Sequence, residues 1–348
     1  MSKQAAKTPA KGASQANPEA EMALVLRRLG LAGPDEVPRL TRLAGGVSSD
    51  IWRADLHDGP VCIKRALAQL RVPQIWKAPV ERGRYEWEWI RFANAVAPGA
   101  APRALAFDEE AMLVVMAWLP PEDNPLWKAE LHAGRADPEF AGSVGRTLAM
   151  IHGASAGRQD IAERFPADEI FYAIRLEPYL IATARVHDDL APRLQALAAT
   201  TATTKRALVH GDVSPKNIMV GKNGPVFLDA ETAWYGDPAF DLAFCLNHML
   251  LKCLWTPAST NAFLACFDAL TGRYLEGVDW EPRAELEARA AHLLPALFLA
   301  RVDGKSPAEY ITADADRERV RRTARPLIAE PVENLASIRA RWSAELGA

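Results

Sequence analysis

Residues 208–220 read LVHGDVSPKNIMV, and LDAE follows at 228–231. This polar stretch lies between two short apolar runs, Ala207-Leu208-Val209 and Val226-Phe227-Leu228, which read as strands. Its surroundings are helical: residues 141–152, 171–182, 190–199, 240–254, 260–275, 283–298 and 314–327 each carry apolar side chains near a 3.6-residue period. Short strands flanking a polar loop inside a helical domain are unusual. The first third has a different texture. A short amphipathic helix is expected over 22–31. Then 40–66 reads as a hairpin in which Ile51–Leu56 alternates, His57-Asp58-Gly59-Pro60 turns and Val61–Lys64 returns. A helix is expected over 81–95 and short strands at 104–107 and 112–118, before Pro120-Pro121 closes the segment. The chain therefore reads as α+β, a small β-rich part followed by a larger, mainly helical one. Residues 1–21 are Ala, Lys, Ser, Gln and Pro without periodicity, the composition of a flexible tail. No internal repeat is evident.

The residue types in the polar loop suit phosphoryl transfer, which asks a protein for few parts: a carboxylate to accept a hydroxyl proton, oxygen ligands for Mg²⁺, and a cation on the phosphates. Asp212 is placed to meet the hydroxyl. Asn217, five residues on, supplies an amide oxygen and Asp229, after the next strand, a carboxylate; both are hard ligands of the kind Mg²⁺ prefers. Lys64, ending the second early strand behind the Gly45-Gly46 turn, supplies the cation. His210 reads as a packed, hydrogen-bonded histidine. Glu231 reads either as a further residue around the metal or as a strand-end charge. Asp237, before Pro238, and Asp241 read as turn and helix-cap residues, with Asp241 bracing the loop.

The HxD-x4-N pattern followed by a strand and an Asp resembles the catalytic signature of the protein-kinase-like fold. The H-G-D and D-x-E variants seen here resemble the aminoglycoside phosphotransferase and choline kinase group. The likeness runs from about Leu40 to at least His248. It includes Leu148–His152, similar to the helix before the catalytic loop, and Gly236–Leu242, similar to the segment after the metal site. It implies a two-lobed protein-kinase-like fold with a nucleotide-binding N-lobe at 22–119 and a C-lobe at 120–348 for catalysis and substrate binding. ATP and Mg²⁺ are then expected between the lobes. Gly45, Gly46, Ser48 and Ser49 would cradle phosphate, Lys64 would be oriented by Glu86 or by Glu88, and backbone near Met116 to Trp118 would hold adenine. Gly211 stands where eukaryotic protein kinases carry Arg, and Asp229-Ala230-Glu231 replaces their DFG triplet, so no activation loop is implied.

The acceptor is less legible. Arg317, Arg321 and Arg325 share one helix face, which suits either a solvated surface or a clamp for an anionic or sugar-like substrate. Arg321-Arg322 resembles a late arginine pair of methylthioribose kinases, as does the segment Gln69-Leu70-Arg71-Val72 after the lysine strand. A polycationic aminoglycoside would need an acidic pocket, for which Glu122, Asp123 and the acidic residues of 157–169 are the candidates. Composition narrows the classes. A formal net charge of −3 gives no field for nucleic acid. No run of 18 apolar residues suggests a membrane span, and the four cysteines have no zinc or disulfide spacing, which fits a cytoplasmic protein. A small-molecule hydroxyl is the expected partner. A catalytically dead kinase-fold module would show losses at Lys64, Asp212, Asn217 or Asp229, and none is lost. A phosphohydrolase would not need Lys64.

Overall fold

The computed structural model describes residues 18–43, 48–69 and 79–348. Gly45 and Gly46 lie outside the described residues, as do Leu70, Arg71 and Val72.

The small lobe begins with α1 (Pro18–Arg28), whose Pro18 fits a first helical turn and whose Glu19 and Glu21 favour the positive end of the helix dipole. The helix therefore starts before Met22, where the apolar periodicity begins. Five antiparallel strands follow in the spatial order β1-β2-β3-β5-β4: β1 (Arg39–Arg42), β2 (Ser49–Leu56), β3 (Gly59–Ala66), β4 (Ala104–Asp108) and β5 (Leu113–Ala117). Side chains alternate across the sheet. Trp52, Ala54, Ile63, Leu113 and Val115 join Met22, Val25 and Leu26 of α1 in one core. Val114 and Met116, from the opposite face of β5, join Trp89, Ile90 and Phe92 of α2 (Arg82–Val96) in the main core of the molecule. Helix α2 stops at Ala97 because Pro98 disfavours helical backbone before it.

The large lobe is mostly helical: α3 (Trp127–His132), α4 (Pro138–Ser155), α5 (Gln159–Arg164), α6 (Asp168–Phe171), a π-helix (Tyr172–Ile181), α7 (Ala182–Ala184), α8 (Ala191–Thr203), α9 (Pro238–Trp255), α10 (Thr260–Glu276), α11 (Arg283–Asp303), α12 (Asp314–Ala329) and α13 (Leu335–Leu346). The 171–182 window is thus wound as a π-helix, with Pro178 inside it. Proline lacks the N–H of the i−4 ladder and its ring crowds the preceding turn, so a wider winding is accommodated there. Two small hairpin-like sheets flank the polar loop. Strand β6 (Ala207–Val209) pairs β9 (Trp234–Gly236), and β7 (Ile218–Gly221) pairs β8 (Gly224–Phe227). The two apolar runs read from sequence are strands, but each pairs with a partner other than its counterpart across the loop. None of the described helices is long and apolar enough to cross a membrane.

Candidate active site

The polar loop is held from behind by a buried relay. The Asp241 carboxylate, in the first turn of α9, accepts from the backbone N–H of His210 (2.7 Å) and of Gly211 (2.8 Å). His152, at the end of α4, places Nε2 3.2 Å from the same carboxylate and Nδ1 2.8 Å from the Tyr274 hydroxyl. The backbone N–H of Asp212 donates to His210 Nδ1 (3.1 Å), so that nitrogen is the acceptor and Nε2–H donates to Leu228 O (3.0 Å). Burial pushes the His210 pKa down, against the pull of Asp241 and Asp212. His210 is therefore a neutral strut tying the loop to the strand that leads into Asp229. Gly211 adopts φ +78, and a Cβ there would lie 2.6 Å from Thr232 O, which explains a glycine between His and Asp.

The β7–β8 register then brings Asn217 and Asp229 to one end of a tight hairpin. Gly221 opposes Gly224 and Ile218 opposes Phe227, so Asn217 faces Leu228 and accepts its N–H (2.8 Å). Asp229 comes next, in the left-handed region at φ +67, a conformation non-glycine residues adopt at a cost and that clusters at functional sites.

Asp212, Asn217 and Asp229 line a cleft of about 810 Å³ between the lobes, together with Lys64, Glu86, Ser48, Ser49, Met116 and Trp118. Asn217 Nδ2 donates to Asp212 Oδ2 (2.8 Å) and Arg175 reaches the same oxygen at 3.0 Å, with Lys216 Nζ at 3.4 Å. These contacts crowd Oδ2; Oδ1 of Asp212 accepts no hydrogen bond from the described residues. Arg175 also donates to Gly211 O. It thus supplies, from the π-helix, a guanidinium beside Asp212 that the loop itself lacks.

Lys64, on β3, is bound to Glu86 (2.7 Å) and to Asp229. Glu88, its alternative partner on α2, instead pairs with Arg164 and, at 3.6 Å, Arg91. Burial works against the Lys64 ammonium, but Asp229 and Glu86 more than offset it and hold its pKa above the usual lysine range. Burial also works against the Asp229 carboxylate, and Lys64 and Lys216 hold it below the usual range, so it stays ionised. Glu86 is pushed up by burial. Ser49 Oγ lies 3.2 Å from Glu231 Oε2, and Arg82 Nε lies 3.0 Å from the same oxygen. Glu231 is therefore a buried, paired carboxylate rather than an exposed strand-end charge. Arg82 also donates to Ser48 O and Leu67 O, each at 2.6 Å. Met116 belongs to the paired part of β5, and Trp118 follows its last residue.

Whether these residues fit Mg²⁺ can be asked of the donor set. No group of three His, Cys, Asp or Glu side chains is arranged to hold a metal among the described residues. One ionised, partly exposed carboxylate and one amide oxygen suit a hard cation that draws the rest of its shell from phosphate and water. Zinc would ask for more nitrogen or sulfur.

Other expected residues lie elsewhere. Arg321 pairs Asp303 (2.6 Å) and Arg322 pairs Glu345 (2.6 Å). Both line a separate surface depression with His187, Glu318, Arg325 and Pro326. They do not reach the cleft, because carboxylates of α11 and α13 capture them. Glu122 and Asp123 are exposed and do not line the cleft. Asp237 caps α9 and pairs Arg289 (3.0 Å). Arg175, beside Asp212, and Lys216, Lys128 and Lys252, which line the cleft, were not singled out from the sequence. Only Lys216, inside the polar loop, carried a signal that would have found it.

Residues 39–263, more than half of the chain, match the phosphotransferase enzyme family. The chain belongs to that family. Within it, the chain is similar to the methylthioribose kinase of Pectobacterium carotovorum, 26% identical over 275 residues that cover 71% of this chain and 65% of the relative. It is also similar to that of Yersinia enterocolitica, 24% identical over 221 residues that cover 55% and 54%. The match to the latter spans about half the length of the curated relative. Among solved structures, this phosphotransferase-family chain resembles an amicoumacin kinase in complex with AMP-PNP, Ca²⁺ and Ami (TM-score 0.54, 14% identity, 90% and 95% covered). It also resembles a choline/ethanolamine kinase family protein from Mesorhizobium loti (TM-score 0.51, 16% identity, 94% and 98% covered). At these identities the likeness is one of fold, the two-lobed kinase-like architecture.

Proposed function

We propose that the protein is a small-molecule kinase that transfers the γ-phosphoryl group of ATP to an acceptor hydroxyl, such as that of a sugar or an amino alcohol. The observation that carries this reading is the convergence of Asp212, Asn217 and Asp229 on one cleft that Lys64 also lines. The acceptor oxygen bonds to the γ-phosphorus as the β,γ-bridging oxygen leaves with its electron pair in ADP, and the hydroxyl proton passes to Asp212. Oδ1 is the receiving oxygen, since Oδ2 is already shared by Asn217, Arg175 and Lys216. Lys64, steered by Glu86, steadies the nucleotide phosphates, and backbone at Met116 to Trp118 meets adenine. Asn217 and Asp229 would hold Mg²⁺, which when bound would neutralise charge on the phosphates. Lys64 and Asp229 neutralise each other, a pairing that nucleotide and metal would divide between them.

Residues 22–119 act as the nucleotide lobe and 120–348 as the acceptor lobe in this reading. The four cysteines are free, in keeping with a reducing cytoplasm. The test is an ADP-release screen over sugars, amino alcohols, choline-like alcohols, aminoglycosides and hydroxy acids, with Asp212→Ala as control. Acceptor-dependent ADP release that Asp212→Ala abolishes is expected. No acceptor raising turnover above background, or an Asp212→Ala variant as active as the parent, would sink the assignment.

A further inference from the structure

The charges lining the cleft fall into two groups. Lys64, Glu86, Asp212 and Asp229 belong to the transfer machinery; the remaining ones are Lys128, Lys216, Lys252 and Arg301 against a single carboxylate, Glu309. Glu309 is largely exposed and already bound to Lys128. Lys252, in the last turn of α9, is 1% exposed and has no carboxylate partner among the described residues. Its ammonium lies 4.0 Å from the Trp255 ring and 3.9 Å from that of Tyr310. Trp255 is itself sandwiched between His132 and Tyr310, giving a rigid aromatic wall. Arg301, on α11, is buried and among the described residues donates only to Tyr179, Ser306 O and Ser306 Oγ. The backbone of the 306–310 loop folds back on it, Ala308 N–H donating to Arg301 O (2.7 Å). Arg301 Nε and the Tyr310 hydroxyl are buried without a hydrogen-bond partner. Burying one cation without a carboxylate partner is costly, and burying two that repel each other is costlier unless a counter-charge arrives from outside.

We infer that the acceptor is an anionic hydroxy compound, its carboxylate or phosphate held by Lys252, Arg301 and Lys128 while its hydroxyl meets Asp212. This rests on the kinase reading above for the hydroxyl, and on the cation cluster alone for the anion. A polycationic or quaternary-amine acceptor would meet like charge at every one of these side chains. The cations come from α3, α9 and α11 of the helical lobe, whereas the sheet supplies the nucleotide wall, so the two ends of the cleft are chemically distinct. Burial, then Lys128, lowers the Lys252 pKa to about 7, while Glu309 opposes the fall. An arriving anion would restore full protonation.

The test has two arms. In the first, ATP turnover is measured with hydroxy acids and sugar phosphates, each beside its neutral and amino counterpart, as in gluconate, glucose and glucosamine. Turnover confined to the anionic members is expected, with Lys252→Met raising KM for them at least tenfold and by a larger factor than it lowers kcat. A neutral or cationic member as the best acceptor overturns the inference. In the second, protein saturated with AMP-PNP and Mg²⁺ is titrated calorimetrically with malonate and with inorganic phosphate. Lys252→Met and Lys128→Gln should each weaken the anion at least fivefold; the half-exposed Lys128 makes the second change safe for folding. No anion binding, or binding equal in all three proteins, overturns the inference. If the first arm shows no turnover with any acceptor while the second shows variant-sensitive binding, the anion pocket stands and the kinase reading is what fails.

Discussion

Substituting Asn for Asp212 keeps the shape of the side chain and its contacts with Asn217 and Arg175 while removing the proton acceptor. Because Oδ1 accepts no hydrogen bond from the described residues, Asp212→Asn is expected to lower kcat about 10²- to 10⁴-fold, the usual span for general-base catalysis, and to lower the melting temperature, since the buried Arg175 guanidinium loses its counter-charge. Steady-state kinetics with a calorimetric scan checks both halves. Gly211→Ala should fail differently. The positive φ and the 2.6 Å approach to Thr232 O leave no room for a methyl group, so a loss on the order of 1–3 kcal/mol of stability is expected in urea titrations, together with activity. Lys252 offers a titration. Its folded pKa, about 7, lies below the ~10.4 of an unfolded lysine, so between those values the unfolded chain holds a proton that the folded one lacks. Stability from this residue therefore rises with pH across that window. The groups that set the window are Lys128 from α3, Arg301 from α11 and Glu309 from the loop after it. The difference between wild type and Lys252→Met in unfolding free energy should slope upward from pH 7 to pH 10, and a flat difference curve would contradict the burial argument.

The reach of sequence reading differed between elements for physical reasons. Amphipathic helices such as α4 and α10 announce themselves because each buries one stripe over several turns, while α9 is buried on nearly every side and shows as a long, mostly apolar run. Strands β6 to β9 span three or four residues each, too few for alternation to register, and their partners are set by tertiary packing. That is why two runs flanking the polar loop were visible but their pairing was not. The loop itself was legible because Asp212, Asn217 and Asp229 are separated by fixed chain distances that a hairpin brings to one end. Lys252 was not, because a basic residue in the last turn of a helix complements the helix dipole and gives no further signal, and only the packing of α9 against α11 shows it buried at a cavity. Glu86 and Glu88 likewise could be told apart only once the phase of α2 was known.

Among the described residues three ion pairs join the lobes, the partly exposed Glu88–Arg164 and two at the cleft, and the latter two differ in what should happen when nucleotide arrives. Lys64–Asp229 sits in the transfer machinery and is expected to open. Arg82–Glu231 sits beside it, and its guanidinium is fully buried. Arg82 also holds Ser48 O and Leu67 O of the small lobe and Pro79 O at its own helix start, so this residue fastens the sheet to α2 and both to the large lobe. Removing one partner of such a buried pair leaves the other charge stranded, typically at 3–5 kcal/mol, whereas replacing both with apolar groups is far less costly. Arg82→Met and Glu231→Met should each destabilise strongly, Arg82→Met more because its backbone contacts are also lost, and the double variant should fall well short of the sum. A chemical-denaturation cycle measures the coupling. Small-angle scattering on Glu231→Met should show a larger radius of gyration without nucleotide, narrowing again with AMP-PNP. Additive losses with an unchanged radius would mean that the pair packs the interior without holding the lobes together.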